Sequence, residues 1–375
     1  MPDDSSFKAT RRRFLIQTLQ AAAVTTLLPS VLSSCSTLDE YLIEDQFDFT
    51  QEVVIIGGGI SGLYAAYQLK KNKIPFKIFD SSQRLGGKIQ TIDEMEWGAF
   101  EFRKGDEILN KLSKELNLEK MDLDKTTWTY KQGASALVTE LSDIVQGLIP
   151  ERQIRFQHRL SLIRKLGSRY QLTFQTPQKE KTYFARKVIL ALPQEVLFKL
   201  QGLDEIKETK PLLSQIVGAK NWAMVRVNLP IGALNTNYRK NNKAEIDVIE
   251  SAFYRAAAQA PAEIFVRQKN SDLMLTFRLA QDHPLRPIEN LETFVQKITE
   301  TPLTLNSENC KDWGLVALDT RANHNIDMKT IVFPTGRLKV ITEALVAESP
   351  TNNKSSIESL LQIVDHEIQS FRLDI

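Results

Sequence analysis

The stretch VVIIGGGISG, residues 53–62, decides the fold of this chain. Four apolar residues that favour strands run into a glycine cluster, and an amphipathic segment follows as far as Leu69. This order is typical of a buried parallel strand, a tight turn and a helix. In such a unit Gly57 permits the turn, Gly59 lets the backbone approach a pyrophosphate, and Gly62 lets the helix pack closely against the strand. The free amide groups at the start of the helix then face the phosphates.

A second strand is predicted over residues 76–80, and it ends in an acid, Asp80. An acid about 20 residues beyond the glycine motif usually binds ribose hydroxyl groups, and it disfavours a 2′-phosphate. The pattern therefore predicts FAD or NAD rather than NADP as the cofactor. The alternative is a glycine turn in an ordinary βαβ unit that binds no dinucleotide.

The segment that follows Asp80 distinguishes between these two cofactors. Residues 81–91 read SSQRLGGKIQT and resemble the second fingerprint of the flavin-containing amine oxidase superfamily, which includes the monoamine, polyamine and L-amino-acid oxidases. The family pattern is an acid, three residues, Arg, one residue, Gly-Gly-Arg, two residues and Thr, and here only the final Arg differs, as Lys88. The resemblance implies that this loop wraps the diphosphate of FAD, with Arg84 and the paired glycines close to it. The predicted cofactor-binding residues are Gly57, Gly58, Gly59, Ile60, Ser61, Gly62, Asp80, Ser81, Arg84, Gly86, Gly87 and Lys88.

Two candidates for contact with a substrate lie in the segment 97–103. The resemblance implies that its Gly98-Ala99 stretch passes close to the flavin, and in amino-acid oxidases an Arg near this point grips the substrate carboxylate. The register places Glu101 there, where an acid suits a cationic amine, and Arg103 two residues later on the same face of an extended segment. A surface position for Arg103 is the alternative. Candidates for an apolar cage around an amine, or equally for ordinary core, are Trp97, Phe100, Phe102, Trp128 and Tyr130.

A third candidate, Lys220, lies just before a predicted strand over 223–229. The resemblance implies that this strand carries a lysine that holds a water beside the flavin. The register places Trp222 or Met224 at the lysine position, with Lys220 nearby.

The N-terminal residues predict export. TRRRFLI, residues 10–16, resembles a twin-arginine motif, which a translocase of folded proteins reads. LSSC, residues 32–35, resembles a lipoprotein cleavage box, and cleavage there would leave Cys35 carrying lipid. The alternative is an uncleaved membrane anchor over 14–32. The prediction is an exported, periplasmic or cell-envelope lipoprotein tethered to a membrane, with the twin-arginine translocase as its partner during export.

Composition excludes several other classes of function. The 48 basic and 46 acidic residues nearly balance, so no nucleic-acid partner is expected. With Cys35 modified, Cys310 is the remaining cysteine, which excludes an intrachain disulfide. The four histidines show no metal-ligand spacing, and no metal is predicted.

The predicted fold is α/β: a Rossmann-type, doubly wound FAD-binding domain with an inserted β-rich substrate domain. The family's C-terminal Gly-Glu strand turn and its Gly-Trp-x-x-Gly-Ala helix start are not found in the sequence. The predicted divisions are a signal peptide (1–34), a tether (35–50), the N-terminal part of the FAD domain (51–130), a helix, β-meander and return strand (131–193), and a divergent second domain with a C-terminal helix (194–375). Within them the resemblance implies a meander over 154–156, 159–165 and 170–175 and a return strand over 187–193. The residue pattern predicts a further strand over 273–279 and the C-terminal helix over 356–371.

The resemblance implies an FAD-dependent oxidoreductase that oxidises an amine or amino acid by hydride transfer to the flavin. Oxygen or a membrane electron acceptor, such as a quinone, would then take the electrons. One alternative is a non-catalytic or degenerate FAD-binding lipoprotein that acts as a structural or partner-binding module. Its evidence is the missing C-terminal motif, the missing lysine and the missing helical insertion of the substrate domain.

Replacing Cys35 should release the protein from membranes. The Cys35→Ser variant loses the acceptor for the acyl chains that would give stable anchoring. Sedimentation of cell envelopes, followed by immunoblotting, measures the membrane-bound fraction, and Thr37→Ala serves as the matched control. Unchanged membrane association of the Cys35→Ser variant would contradict lipidation.

Overall fold

The computed structural model describes residues 48–92, 95–123, 125–146, 153–216, 221–230, 247–248, 262–269, 272–280, 283–285, 287–299, 303–306, 308–318, 337–342 and 355–373. The predicted signal peptide, Cys35 and Lys220 lie outside these residues. Strand β1 begins at Asp48, inside the segment predicted as a tether.

The described strands fall into two main sheets and two small ones. They are β1 (Asp48–Ile56), β2 (Phe76–Phe79), β3 (Thr91–Ile92), β4 (Met95–Glu96), β5 (Phe102–Arg103), β6 (Lys120–Asp122), β7 (Thr127–Tyr130), β8 (Ile154–Arg155), β9 (Arg159–Leu166), β10 (Arg169–Gln175), β11 (Glu180–Ala191), β12 (Asn221–Pro230), β13 (Asp247–Val248), β14 (Ala262–Lys269), β15 (Asp272–Ala280), β16 (Cys310–Leu318) and β17 (Leu338–Ile341). The described helices are α1 (Ile60–Lys71), α2 (Glu107–Glu115), α3 (Ser135–Gln146), α4 (Gln194–Lys199), α5 (Lys210–Ile216), α6 (Ile288–Thr299) and α7 (Ser356–Leu373), with a 3₁₀ turn at Lys207–Thr209.

The larger sheet has seven strands and contains the predicted parallel core. Strand β1 lies between β2 and β11 and is parallel to both, and β8 and β17 extend the parallel part on either side. Residues 53–56 are at most 2% exposed, as expected for a strand covered on both faces. The predicted strands at 53–56, 76–80 and 187–193 are confirmed, although the last one begins earlier, at Glu180.

The predicted antiparallel meander is present but shorter than expected. Strands β9, β10 and the first half of β11 form it, and they continue the larger sheet. The prediction that residues 154–156 belong to the meander is wrong, because β8 pairs in parallel with β2, with Ile154 opposite Ile78. Ile154 is 4% exposed, so it is buried at the edge of the parallel part.

The C-terminal part of the chain returns to the larger sheet. Strand β17 pairs in parallel with residues 188–191 of β11, and α7 contacts α1, α2 and β17. The predicted helix at 356–371 is confirmed as α7. Lys339 of β17 and Glu367 of α7 form an ion pair of 3.5 Å between side chains that are 6% and 1% exposed. Burial raises the pKa of Glu367, and the neighbouring Lys339 charge opposes this.

The starts of α2 and α7 cap each other. Glu358, in the first turn of α7, accepts hydrogen bonds from the amides of Ile108 (2.9 Å) and Leu109 (3.0 Å) at the start of α2. Asp106, just before α2, accepts one from the amide of Ser355, just before α7, at 2.7 Å. Both carboxylates are fully buried. Each therefore satisfies amide groups that have no acceptor within their own helix.

The smaller main sheet has the strand order β13-β14-β15-β12-β16 and is antiparallel at every described pairing. One of its faces packs against α6 and forms a separate apolar core. The strands predicted at 223–229 and 273–279 are confirmed as β12 and β15. This core contains Val225, Val227, Leu229, Leu275, Phe277, Leu279, Leu291, Val295, Leu305 and Cys310. Burial raises the pKa of the Cys310 thiol to about 11, so this cysteine is protonated and unreactive at neutral pH.

Of the helices in the described ranges, none combines the length and apolar character that crossing a membrane requires.

Replacing Glu358 should destabilise the fold. In the Glu358→Ala variant the buried amides of Ile108 and Leu109 lose their acceptors, at a cost of about 1–3 kcal/mol. Thermal unfolding followed by circular dichroism should show a melting temperature lower by several degrees. The matched control is Glu289→Ala, because Glu289 lies in the first turn of α6 and is exposed. Equal melting temperatures for the two variants would contradict the capping role.

Candidate dinucleotide site

Two glycine-rich loops meet at the carboxyl end of β1. The amide of Gly86 donates a hydrogen bond of 2.8 Å to the carbonyl of Gly58, and Gly59 pairs with Gly86 in an isolated bridge. A Cβ atom built on Gly59 would lie 3.8 Å from the Cα of Gly87, which is an ordinary contact. The φ of Gly59 is −68°, which any residue adopts. Neither strain nor a clash within the protein therefore explains a glycine here, whereas the close approach of a ligand would.

The other glycines of the first loop serve the packing of the protein itself. Gly57 has a φ of +104°, and a Cβ there would lie 2.2 Å from the carbonyl oxygen of Ala191 on β11. A Cβ on Gly62 would lie 1.8 Å from the carbonyl oxygen of Gly57. These contacts are those predicted for the turn glycine and for the glycine that brings helix and strand together.

Helix α1 begins at this loop. Gly59 is its N-cap, and the amide of Leu63 donates the first intrahelical bond to the carbonyl of Gly59, at 2.9 Å. The amides of Ile60, Ser61 and Gly62 therefore belong to the first turn, where no acceptor exists within the helix. Together with the positive end of the helix dipole they favour an anion such as a diphosphate.

Asp80 connects the two loops from the end of β2. Its Oδ2 accepts a hydrogen bond of 2.6 Å from the amide of Gly58, and its Oδ1 accepts bonds of 2.7 Å and 2.6 Å from the amide and hydroxyl of Ser82. Each carboxylate oxygen has two lone pairs, so Asp80 retains acceptor capacity for ribose hydroxyl groups. Ser81 is exposed in the same turn.

Arg84 organises the second loop from within. Its Nη1 donates to the carbonyls of Leu85 (3.1 Å) and Ile89 (3.3 Å), and its Nη2 donates to that of Gly87 (2.6 Å). Burial lowers the pKa of Arg84, and the Asp80 charge opposes this. The guanidinium thereby fixes the conformation of the paired glycines and adds positive charge near them. Lys88 follows, half-buried.

Sequence reasoning predicted the return strand that the structure shows as β11, but it missed β17, which lies next to it. Ala191 and Ile341 lie opposite each other, at the same sheet edge as Ile56. With Asp80 at the end of β2, an extended dinucleotide that placed its ribose there would extend its other half over the ends of β11 and β17. Thr342, which follows β17, is 2% exposed and lies at this edge. The sequence signal for such a strand is Leu338, Val340 and Ile341, although Lys339 interrupts this apolar segment.

Glu96 was also missed, although it is the centre of a buried network. Its Oε1 accepts a hydrogen bond from the amide of Ala134, and its Oε2 accepts one from the hydroxyl of Thr91, both at 2.8 Å. Ser135 and Thr91 bond to each other twice, amide to hydroxyl in each direction. Glu96 thus joins the segment after the second glycine loop to the start of α3.

The two candidates for contact with a substrate, Glu101 and Arg103, lie at the start of the small sheet β5-β7-β6. Glu101 is exposed, and Arg103 is half-buried on β5, opposite Thr127. The rings of Phe102 and Trp128 lie 4.8 Å apart, and those of Trp128 and Tyr130 lie 5.2 Å apart. All three rings are at most 2% exposed, so they form the core of this sheet rather than a cage around a ligand.

Within the described ranges no group of three or more His, Cys, Asp or Glu side chains is arranged to hold a metal ion.

Comparison with known proteins identifies related sequences for the region of the glycine loops. Residues 55–121 match the family described as NAD(P)-binding Rossmann-like domain. Coproporphyrinogen III oxidase of Staphylococcus aureus (strain NCTC 8325 / PS 47) is 38% identical over 84 residues, which are 21% of this chain and 18% of that protein. The Bacillus subtilis (strain 168) enzyme of the same name is 36% identical over 90 residues, 21% of this chain and 19% of that protein. The match thus spans less than a fifth of either relative.

The similarity of this fold to solved structures extends over most of the chain. A redesigned triple mutant of putrescine oxidase is 11% identical, with a TM-score of 0.59, over 88% of this chain and 100% of that one. A proposed protoporphyrinogen oxidase from Exiguobacterium sp. 255-15 gives the same identity, TM-score and coverage. At this identity the likeness shows a shared fold. It confirms the predicted α/β architecture, with a Rossmann-type domain and a sheet-rich insertion.

Two alanine variants should separate ligand contact from internal packing. Gly59→Ala introduces no clash within the protein, so its melting temperature should stay near that of the wild type while FAD binding falls by about tenfold or more. Gly62→Ala places a methyl group against the carbonyl of Gly57, so its melting temperature should fall by several degrees. Calorimetry and flavin fluorescence titration measure the two effects. Wild-type FAD binding by Gly59→Ala would refute the role of Gly59 at the diphosphate.

Proposed function

We propose that this chain is an FAD-dependent oxidoreductase. The observation that carries the proposal is the meeting of two glycine-rich loops at the end of β1, with Gly59 facing Gly87 and Asp80 bonded to the first loop. The Cβ of any other residue at position 59 would enter the space in front of this loop. That space lies beside the free amides at the start of α1 and next to Asp80, so it fits the diphosphate and ribose of a dinucleotide.

The second loop favours FAD over a nicotinamide cofactor. A βαβ unit that binds NAD requires one glycine-rich turn and one acid. Here Arg84 is used to shape a further loop, and Gly86 and Gly87 both have positive φ, of 100° and 55°. That loop lies against the first one, so the diphosphate is enclosed from two sides. The fold shared with oxidases over 88% of the chain supports this choice.

The residues of the chain bind and orient, and the flavin, when bound, supplies the capacity to accept a hydride. The start of α1 and the two glycine loops hold the diphosphate, and Asp80 holds the ribose. The ends of β11 and β17 support the other half of the cofactor. The smaller sheet contacts the segment that follows the second glycine loop, through Arg226 and Met274.

We propose an amine or amino acid as the substrate class, with oxygen or a membrane acceptor receiving the electrons. The fold shared with putrescine oxidase supports this class. A porphyrinogen is a second candidate, because the relatives that match at 38% and 36% identity are named coproporphyrinogen III oxidases. That match covers 21% of this chain, whereas the fold of putrescine oxidase covers 88% of it, so the amine class is placed first.

The missing C-terminal motif is one of the three observations behind the alternative of a degenerate flavin-binding module. Strand β17 and helix α7 now supply a C-terminal return to the edge of the sheet where the cofactor would lie, by residues that the motif does not describe. This return favours the enzyme over the module. Export through the twin-arginine route and anchoring at Cys35 stay part of the proposal, since FAD is loaded during folding and that route carries folded proteins.

The deciding experiment is a visible spectrum of the purified chain, followed by anaerobic addition of candidate substrates. Flavin bands are expected, and an amine, an amino acid or a porphyrinogen should bleach them. The Asp80→Ala variant, which loses the ribose acceptor and the bond to Gly58, should retain at least tenfold less flavin. Flavin bands that no member of the panel bleaches would support the non-catalytic alternative. A colourless protein that added FAD does not reconstitute would refute the proposal.

A further inference from the structure

Arg226 is a buried arginine on the central part of the smaller sheet, and 4% of it is exposed. Its strand, β12, pairs with β15 on one side and β16 on the other, so the backbone at this position is held along both edges. The neighbouring Val225 and Val227 point into the core under α6. Because alternate residues of a strand face opposite sides, Arg226 points away from that core.

The guanidinium of Arg226 reaches the segment that follows the second glycine loop. Its Nη1 donates hydrogen bonds to the backbone carbonyls of Glu96, at 2.6 Å, and of Gly98. Its central carbon lies 5.0 Å from the centre of the Phe100 ring. Hydrogen bonds from a charged donor are roughly twice as strong as neutral ones, and burial strengthens them further.

A second contact on the same face of the sheet supports this attachment. Met274 of β15 lies opposite Asn228, two residues along β12 from Arg226. Its side chain is 2% exposed and packs against Trp97. The smaller sheet therefore holds the segment both by charge and by apolar contact.

The turn formed by residues 97–99 lies directly on the second glycine loop. The amides of Trp97 and Gly98 donate to the carbonyl of Gln90, at 2.8 Å and 3.1 Å, and the amide of Ala99 donates to that of Lys88, at 2.8 Å. A Cβ on Gly98 would lie 2.1 Å from the carbonyl oxygen of Lys88. A displacement of the turn must therefore displace the loop as well.

We propose that Arg226 is a positioning residue for the half of the cofactor that lies beyond the diphosphate. Arg226 fixes the turn at 97–99, and that turn is hydrogen-bonded to residues 88–90. Residues 88–90 follow Gly87 in the chain and lead away from Asp80. The smaller sheet thereby sets the geometry of the cofactor site that it faces. This inference rests on the proposed FAD function. Both hydrogen bonds come from Nη1, so the ammonium of a lysine can replace the charged donor, but it does not reproduce the planar contact of the guanidinium with the Phe100 ring.

Amide hydrogen exchange of the cofactor-free protein tests the attachment itself. In Arg226→Met the peptides covering 95–100 should exchange about tenfold faster, and those from β14 and β15 should stay protected. Arg226→Lys should restore part of the protection. The matched control is Arg164→Met, because Arg164 is an exposed arginine on β9. If Arg226→Met also loses protection in β14 and β15, the exchange rate at 95–100 is instead compared between Arg226→Lys and the wild type.

Paired binding measurements test the positioning role. Arg226→Met should bind FAD about tenfold more weakly, yet bind ADP, which lacks the flavin half, within about twofold of the wild type. The visible bands of its bound flavin should also shift. A general loss of stability would weaken both ligands equally.

The inference would be overturned if the exchange rate at 95–100 is unchanged in the variant chosen for that comparison. It would also be overturned if Arg226→Met loses affinity for FAD and ADP equally. A wild-type chain that binds no FAD would instead refute the proposed function, and the exchange experiment would still decide whether Arg226 holds the turn.

Discussion

The rest of the structure depends on the close approach of two backbones at the end of β1, where Gly86 donates to Gly58. An extra carbon atom at Gly57, Gly62 or Gly87 would lie 3.0 Å or less from a backbone atom. Such contacts require glycine, because backbone atoms cannot move aside as a flexible side chain can. Asp80, Arg84 and the start of α1 are arranged around this approach, and they bring amide groups and one acid to a single edge of the sheet.

The wider architecture supports this edge from three directions. Strands β2 and β11 end beside β1, and β17 ends beside β11. Helix α3 contacts the second loop, where Val138 lies against Gly86. The smaller sheet reaches the same region through Arg226. Segments that are far apart in the chain thus converge on one site. Each contributes backbone groups or buried polar side chains, and these interactions are strong only where water is excluded.

Much of the nucleotide-binding part was predictable from the sequence because its determinants are local. The strand, turn and helix at 53–69 and the loop at 81–91 are each contiguous in the sequence, and Gly62 packs against Gly57 of the same segment. The contributions of Thr342 and Glu96 were not predictable, because each depends on a partner brought in by tertiary structure. The same holds for the aromatic residues at 102, 128 and 130, whose composition suits a ligand cage and a core equally well. Their burial against one another in the structure shows that they form a core.

The mutual capping of α2 and α7 also bears on when this domain can form during synthesis. Glu358 caps a helix that starts 250 residues before it in the chain. A ribosome adding about 5–20 residues per second needs roughly 10–50 s to cover that distance. Throughout that interval the start of α2 lacks its acceptors, and the sheet lacks β17. The start of α2 therefore waits for the C-terminal residues: a nascent chain cut before residue 338 lacks β17 and its part of the sheet edge, and one cut before residue 355 lacks the contacts that join α2 to α7.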